Sequence, residues 1–156
     1  MRRWTKQLIA CAMLLFAAAP AWALSPWIMF FDTGSVRLDR RGEEMVANAV
    51  MGMRALDTRE IEIVGTTDRV GSVADNLALS RRRAEAVRAA LLARGMSPQV
   101  RVRIVAAGET QPLVDTADGV PEPQNRYVAI VLQRMCVDWR DGSRRTEAEC
   151  ATPLPD

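Results

Sequence analysis

The sequence contains no histidine and has 3 cysteines among its 156 residues. Catalytic sites of the Ser-His or Cys-His type need an imidazole base, and most zinc sites need histidine or several cysteine ligands. The sequence also lacks an apolar run that could span a bilayer, which takes about 18 residues or more. The longest such run, residues 8–19, is too short. These absences argue against His-dependent catalysis, zinc binding and a membrane span.

The first 23 residues have the pattern of a secretory signal peptide. Basic residues at positions 2, 3 and 6 precede the apolar run, and a small-x-small sequence follows it at residues 21–23. We therefore predict export, with cleavage after Ala23. The sequence "LIAC" at residues 8–11 resembles a lipobox, which would make Cys11 a lipid-carrying N-terminus. Against that alternative, the apolar run continues well past Cys11.

The chain that would remain after cleavage is close to neutral. Residues 1–23 include 3 of the 21 basic residues and no acidic one, which leaves 18 basic against 19 acidic residues. A nucleic-acid-binding protein needs a concentrated basic face, so we expect no nucleic-acid partner. The remaining length suits one domain with a core of its own, and we expect no transmembrane segment in it.

Two cysteines, Cys136 and Cys150, would remain in the exported chain. Because the predicted compartment is oxidising, we predict a disulfide between them. The enclosed Asp141-Gly142 pair suits a tight hairpin turn. A disulfide that closes a loop of this size stabilises the folded protein by about 3 kcal/mol in the chain-entropy model. We interpret residues 135–156 as a disulfide-stapled C-terminal extension that caps the domain, in preference to a partner site.

The hydrophobic periodicity predicts an α/β domain. Alternating or continuous apolar residues indicate strands, and apolar residues at helical spacing indicate helices. The predicted strands are at 27–31, followed by an extended piece at 36–38, and at 60–65, 100–105 and 126–132, with a loop at 107–124 before the last one. The first predicted helix runs from the N-cap Asp39 to about Leu56. The second runs from Ala74 or Asn76 to Arg94, and its packed face contains Leu77, Ala84, Val87 and Leu91. Two helices would then cross over one face of a small mixed sheet.

The polar turn and helix start at residues 65–87, "GTTDRVGSVADNLALSRRRAEAV", carry the candidate functional residues. Glycan hydrolysis uses two carboxylates at a set separation. Asp68 and Asp75 could form such a pair, although both also suit a turn or a helix start. An exposed ion pair is a second interpretation, and it contributes only about 0–1 kcal/mol.

A third interpretation is a binding site for a zwitterion. Arg83 lies beside the packed face of the predicted helix, which would restrain its stem and aim its guanidinium. If the loop folds back over the helix, Asp68 would accept from an ammonium group and Arg83 would grip a carboxylate in bidentate fashion. Asn76 either lines this site or caps the helix, and we favour the cap. The remaining arginines of this helix, Arg81, Arg82 and Arg88, point in different directions and are interpreted as solvated surface.

Four segments together resemble the OmpA-like C-terminal domain family, the peptidoglycan-binding module of outer-membrane proteins, peptidoglycan-associated lipoproteins and flagellar stator subunits. They are "GTTDRVG" (65–71), "NLALSRRRA" (76–84), "GMSPQVRVRIVAAGETQP" (95–112) and "NRYVAIVL" (125–132). The resemblance implies a βαβαββ-type two-layer sandwich over residues 24–134. Thr66 and Tyr127 depart from the common family residues.

The resemblance also implies a ligand, the diaminopimelate of the peptidoglycan stem peptide. In the family, the motif aspartate and arginine hold its amino and carboxylate groups. The residues that the resemblance implies for this site are Asp68, Arg83, Asn76, the backbone near Val70 and Gly71, and Arg126.

From the sequence we therefore expect a non-enzymatic, periplasmic, wall-associated protein that needs no metal or cofactor and binds peptidoglycan, peripheral to the outer membrane. Other envelope or outer-membrane proteins are candidate partners. The alternative is an envelope scaffold or interaction subunit whose main partner is another protein and whose wall binding is weak. Loss of wall binding on substitution of Asp68 or Arg83 would favour the first interpretation.

Overall fold

The computed structural model describes residues 26–132 and the short segments 135–137 and 144–146. Within residues 26–132, two helices pack on one face of a four-stranded sheet, so the predicted α/β two-layer fold is confirmed. The elements are β1 (Trp27–Phe30), α1 (Arg40–Ala55), β2 (Glu60–Thr66), α2 (Val73–Ala93), β3 (Arg101–Gly108) and β4 (Tyr127–Leu132). No helix in this part of the chain has both the length and the apolar character needed to cross a membrane.

The order of the strands brings three strand ends together. The sheet runs β1-β4-β2-β3, with β2 parallel to β3 and β4 antiparallel to both of its neighbours. Consequently β1, β2 and β3 all end at the same edge, at Phe30, Thr66 and Gly108. We call this the carboxyl edge. Each helix follows a strand that ends there, so both helices also begin at this edge.

The alternation in β2 shows why one face of the sheet is buried. Ile61 and Ile63 point towards the helices and are fully buried, whereas Glu60 lies on the opposite face and forms an ion pair with Arg101 of β3. Alternation of this kind places one set of side chains in the core. The helices and β4 contribute the facing core residues Val46, Val50, Met53, Ala84, Val87, Leu91, Val128 and Ile130.

The two helix starts differ in how well the sequence predicted them. Asp39 caps α1 as predicted, since its Oδ1 accepts a hydrogen bond from the Gly42 amide at 2.7 Å. The predicted cap of α2 was wrong. Ser72 caps that helix instead, and its Oγ accepts from the Asp75 amide at 3.1 Å and donates to the Asp75 carboxylate at 2.7 Å. Ser72-x-x-Asp75 has the spacing of a capping box, so the signal was present in the sequence.

Two further predictions need correction. Leu77, predicted on the packed face of α2, is 48 % exposed, whereas Ala84, Val87 and Leu91 are fully buried as predicted. Residues 36–38 form no strand, and Leu38 packs against the core.

A glycine sets the close approach of α2 to the sheet. A Cβ atom at Gly65 would lie 2.1 Å from the carbonyl oxygen of Ser80, well inside contact distance. The absence of a side chain therefore allows the backbones of β2 and α2 to touch. This approach brings Arg83, one turn further along α2, under the end of β2.

The C-terminal segments pair with each other. Strands β5 (Met135–Val137) and β6 (Arg144–Thr146) are antiparallel, with Val137 opposite Arg144. The tight turn predicted at Asp141-Gly142 falls between these two segments in the sequence. That turn, Cys150 and the predicted signal peptide lie outside the described residues, so the disulfide and the cleavage stay predictions.

Candidate functional site

A buried ion pair lies at the carboxyl edge, just beyond the end of β2. Nη1 of Arg126 donates to Oδ2 of Asp68 at 2.8 Å, and the two side chains are only 11 % and 6 % exposed. The Glu122 amide donates to the same oxygen at 3.3 Å. Charge-assisted hydrogen bonds of this kind are stronger than neutral ones, and burial reduces their screening by salt.

Arg126 also connects the ion pair to β1. Its Nε donates to the carbonyl oxygen of Phe31 at 3.1 Å. The residue lies just before β4, where the buried Oγ1 of Thr66 lies within hydrogen-bond distance of the carbonyl oxygens of Asn125, at 2.8 Å, and Tyr127, at 2.9 Å. Arg126 is therefore held between the ends of β1 and β2.

Arg83 is fully buried, and its guanidinium donates to three backbone carbonyls. The acceptors are Ser35 for Nε at 2.9 Å, Thr66 for Nη1 at 2.9 Å and Asp32 for Nη2 at 3.0 Å. The guanidinium also lies over the ring of Phe31, 5.3 Å from its centroid, at a distance typical of a cation–π contact. Burial, with the nearby positive charge of Arg126 as a second cause, lowers the pKa of Arg83 to about 10, and Asp68 partly opposes this shift.

The loop after β3 folds over this cluster. We call residues 109–122 the strap. Arg69 holds its middle, since its guanidinium donates to the Thr116 carbonyl and its own carbonyl accepts from the Gly119 amide. The fully buried Asn125 holds its beginning, with Oδ1 accepting from the Leu113 and Val114 amides at 2.8 and 2.9 Å. The strap therefore closes over Asp68 through several contacts.

Beside the ion pair there is an open cavity of about 280 Å³. It is lined by Phe30, Phe31, Asp32, Asp39, Pro123, Gln124 and Arg126. Among the residues that the structure describes, none hydrogen-bonds to the exposed carboxylate of Asp32. The cavity therefore combines aromatic walls with one cationic group and two carboxylates. It lies near the lower limit of small-molecule pockets, about 300 Å³, and suits one amino-acid end better than a larger ligand.

The structure brings together only some of the residues predicted from the sequence. Asp68, Arg83 and Arg126 form one cluster, and Arg126 alone of the predicted set lines the cavity. Asn76 is buried and donates to Oε2 of Glu109 at 2.7 Å, which ties the start of α2 to the start of the strap.

The turn between β2 and α2 contains the other two predicted residues. Val70 is 38 % exposed, and Gly71 has the positive φ of 101° that favours glycine. No hydrogen bond within residues 26–132 links either one directly to Asp68. These residues lie next to the cluster, and neither belongs to it.

Sequence reasoning missed several residues that build the site. Asp32 and Phe31 follow β1, and an acidic residue directly after the strand predicted at 27–31 was an available signal. Asn125 begins the segment 125–132, which resembles the family, so the sequence also pointed to this position. The contact of Glu122 with Asp68 uses a backbone amide, which carries no residue-specific signal.

Comparison with known proteins identifies the family. The model of the OmpA family matches residues 30–126, well over half of the chain. The chain belongs to the OmpA family. This finding confirms the resemblance seen in the sequence motifs.

Relatives of this OmpA-family chain include longer outer-membrane proteins. It is 37 % identical over 112 residues to an outer membrane protein of Gluconacetobacter diazotrophicus, covering 68 % of this chain and 29 % of that protein. It is 33 % identical over 103 residues to outer membrane protein A of Bordetella avium, covering 66 % of this chain and 53 % of that protein. The chain thus spans about a third to a half of these relatives. Their names describe envelope proteins.

A solved structure supports the same fold. The crystal structure of the peptidoglycan-associated lipoprotein from Burkholderia pseudomallei is similar to this OmpA-family chain with a TM-score of 0.61 and 30 % sequence identity. The similarity covers 68 % of this chain and 89 % of that one.

Proposed function

We propose that this OmpA-family protein binds peptidoglycan non-covalently in the periplasm, through the diaminopimelate of the stem peptide. The observation that carries the proposal is the Asp68–Arg126 pair at the carboxyl edge, beside an open cavity. A relative with a similar fold is by name peptidoglycan-associated, which supports the same ligand.

The chemistry of the cluster suits the free end of diaminopimelate, which carries an ammonium and a carboxylate on one carbon. Asp68 accepts from the ammonium, and a guanidinium of the cluster grips the carboxylate with two parallel hydrogen bonds. The N-termini of α1 and α2 lie at the same edge and add positive potential for an anion. Asn76 and the backbone of Val70 and Gly71 line the approach along the neighbouring turn.

The site fits binding better than catalysis. Glycan hydrolysis uses two carboxylates that share one substrate bond, whereas the partner of Asp68 is a guanidinium. A few charged hydrogen bonds to one amino-acid end give a dissociation constant of about micromolar to millimolar. Many identical sites along the wall then retain the protein and help to anchor or organise the envelope.

Sedimentation with isolated sacculi tests this function. We expect the wild-type protein to pellet with sacculi and Asp68→Asn to stay largely in the supernatant. Glu85→Gln, which neutralises an exposed carboxylate further along α2, serves as the matched control and should pellet like wild type. Wild-type protein that stays in the supernatant would refute wall binding and favour a protein partner. Soluble muropeptides released from the mixture would instead show catalysis.

A further inference from the structure

The outer edge of β3 is bordered by arginines on both faces of the sheet. We propose that this edge binds an extended, acidic segment of a partner protein, which joins the sheet as a fifth strand beside β3. The surface shares no residue with the Asp68–Arg126 pair or with the cavity beside it. The inference therefore goes beyond the proposed wall binding and does not depend on it.

The backbone of β3 can accept a further strand. Among the described strands of the sheet, β3 is last in the order and pairs with β2 alone. The Arg101 amide donates to the Arg59 carbonyl, so the backbone groups of Arg101 face β2. Because successive residues of a strand turn these groups to opposite sides, those of Val102 and Ile104 face outward. Such an edge is a template for strand addition.

β3 is also long and regular enough for this pairing. Edges that resist pairing are often short, bulged or interrupted by proline. β3 has 8 residues, none of them proline or acidic, and its register with β2 shifts only at Gly65 and Thr66, near its end. A partner strand can therefore lie along the first five residues, 101–105.

Arg101 and Arg103 border the edge on the face opposite the helices. They pair with Glu60 and Glu62 of β2, but the arginine side chains are 70 % and 65 % exposed, against 24 % and 15 % for the glutamates. The glutamates lie one strand further in. The positive members of both ion pairs are therefore the ones that an added strand would meet.

Arg81 and Arg88 border the edge on the helix face. Arg83 points towards the loop between β1 and α1, where it donates to the carbonyls of Asp32 and Ser35. At about 100° per residue, Arg81 lies about 160° away from Arg83 round the helix, and Arg88 about 140° away. Since β1 and β3 are at opposite ends of the strand order, Arg81 and Arg88 emerge on the β3 side of α2.

This placement corrects the interpretation of these arginines from the sequence. Arg81 and Arg88 share a side of α2, because seven residues make nearly two full turns, whereas Arg82 points elsewhere. Both are exposed, and neither takes part in an ion pair within residues 26–132. A single carboxylate, Glu85, lies between them in the sequence. The edge is thus bordered by four arginines against one carboxylate.

The charges favour an acidic partner over a second copy of this chain. Two β3 strands paired antiparallel would bring Arg81 and Arg88 of one copy towards the same arginines of the other, and like charges repel. A partner strand with acidic side chains at alternate positions places all of them on one face. Its backbone pairs with Val102 and Ile104, while its carboxylates meet Arg81 and Arg88.

NMR titration of the full chain with a synthetic peptide tests the proposal. The probe has the length of β3, 8 residues, and glutamate alternates with threonine in it. We expect the amides of Val102 and Ile104 to shift and to gain protection from solvent exchange. A peptide with lysine in place of glutamate, and one N-methylated at every residue, should not bind. An unshifted β3 would overturn the proposal, and so would equal binding of the N-methylated peptide, which cannot donate to a strand.

Charge variants of α2 test the helix side of the edge. We expect Arg81→Gln and Arg88→Gln each to weaken binding of the glutamate peptide about threefold, the loss of one exposed ion pair. Arg82→Gln is the matched control, because it removes the same charge from the same helix on a different side, and it should bind like wild type. Equal weakening by all three variants would contradict a specific edge site.

Amide exchange in the protein alone tests the other possible occupants. We expect the Val102 and Ile104 amides to exchange rapidly before any peptide is added. Protection of both amides in a dimer, as identified by sedimentation velocity, would assign the edge to a second copy. Protection in a monomer would assign it to another part of this chain. Either result would overturn the proposal.

Discussion

The guanidinium of Arg126 lies 2.8 Å from the carboxylate of Asp68, although 57 other residues separate the two in the sequence. Neither side chain is more than 11 % exposed. Each charge therefore satisfies the other, and a ligand must compete with an internal partner to bind.

Breaking this pair should cost stability. We expect Arg126→Gln to reduce the free energy of unfolding by about 3–5 kcal/mol, because it leaves the buried Asp68 charge without its partner. Urea unfolding measures the change. The matched control is Arg40→Gln, which breaks an ion pair with Glu44 whose side chains are 92 % and 62 % exposed. That control should cost no more than about 1 kcal/mol. Equal costs for the two variants would contradict a buried pair.

The anchor of the strap can be tested separately. Asn125→Ala removes three hydrogen bonds to the backbone of Leu113 and Val114. We expect a loss of about 1–3 kcal/mol, because two backbone amides lose their acceptor and the Val114 carbonyl loses its donor. Hydrogen exchange should quicken at both amides while the amides of β2 keep their protection. Unchanged exchange at residues 113 and 114 would show that Asn125 does not hold the strap.

The lowered pKa of Arg83 has a consequence at alkaline pH. Its pKa is lowered to about 10 in the folded protein, so between this pH and the higher ordinary pKa of arginine the folded state binds fewer protons than the unfolded state. Folding stability from this group therefore rises as pH increases through about 10. Below that pH Arg83 is protonated in both the folded and the unfolded state, and its contribution to folding stability stays constant.

Urea unfolding from pH 7 to 11 measures this contribution as the difference between wild type and Arg83→Met. We expect a constant difference up to about pH 9, then a change in favour of wild type. If the stability advantage of wild type over Arg83→Met decreased above pH 10, the pKa of Arg83 would not be lowered in the folded protein.

Close packing at Gly65 gives a fourth prediction. Gly65→Ala would place a methyl group 2.1 Å from the Ser80 carbonyl oxygen, so the helix must move. We expect a loss of about 1–3 kcal/mol, as in other overpacked sites. Gly34→Ala is the comparison, because a Cβ there meets no atom within 4 Å and only the φ of 65° opposes it. It should cost about 1 kcal/mol. Thermal unfolding would rank the two, and an equal loss would argue against the close approach.

The fold could largely be predicted from side-chain patterns. The alternation of Ile61 and Ile63 with the glutamates of β2, and the helical spacing of Ala84, Val87 and Leu91, each reflect burial on one face. Burial depends on side-chain chemistry, which the sequence displays. The start of α2 was misplaced because Ser72 and Asn76 are both good capping residues, and the choice depends on the turn geometry before the helix.

The roles within the site could be predicted only in part. The motif marked Asp68, Arg83 and Arg126, but it could not show which arginine pairs with the aspartate. The partners of Arg83 are backbone carbonyls, which every residue has, so no residue type signals them. The partner of Arg126 depends on how β4 lies beside β2, and that pairing is set by the packing of the whole sheet.

The direction of the strands also determines at which end of the sheet the chain enters and leaves the domain. β1 enters the sheet at Trp27, which is opposite Ile130, and β4 leaves it at Leu132, opposite Ile61. Both chain connections therefore emerge at the end of the sheet remote from Asp68. A tether or partner joined at either connection would leave the carboxyl edge facing outward, free to meet the proposed peptidoglycan ligand.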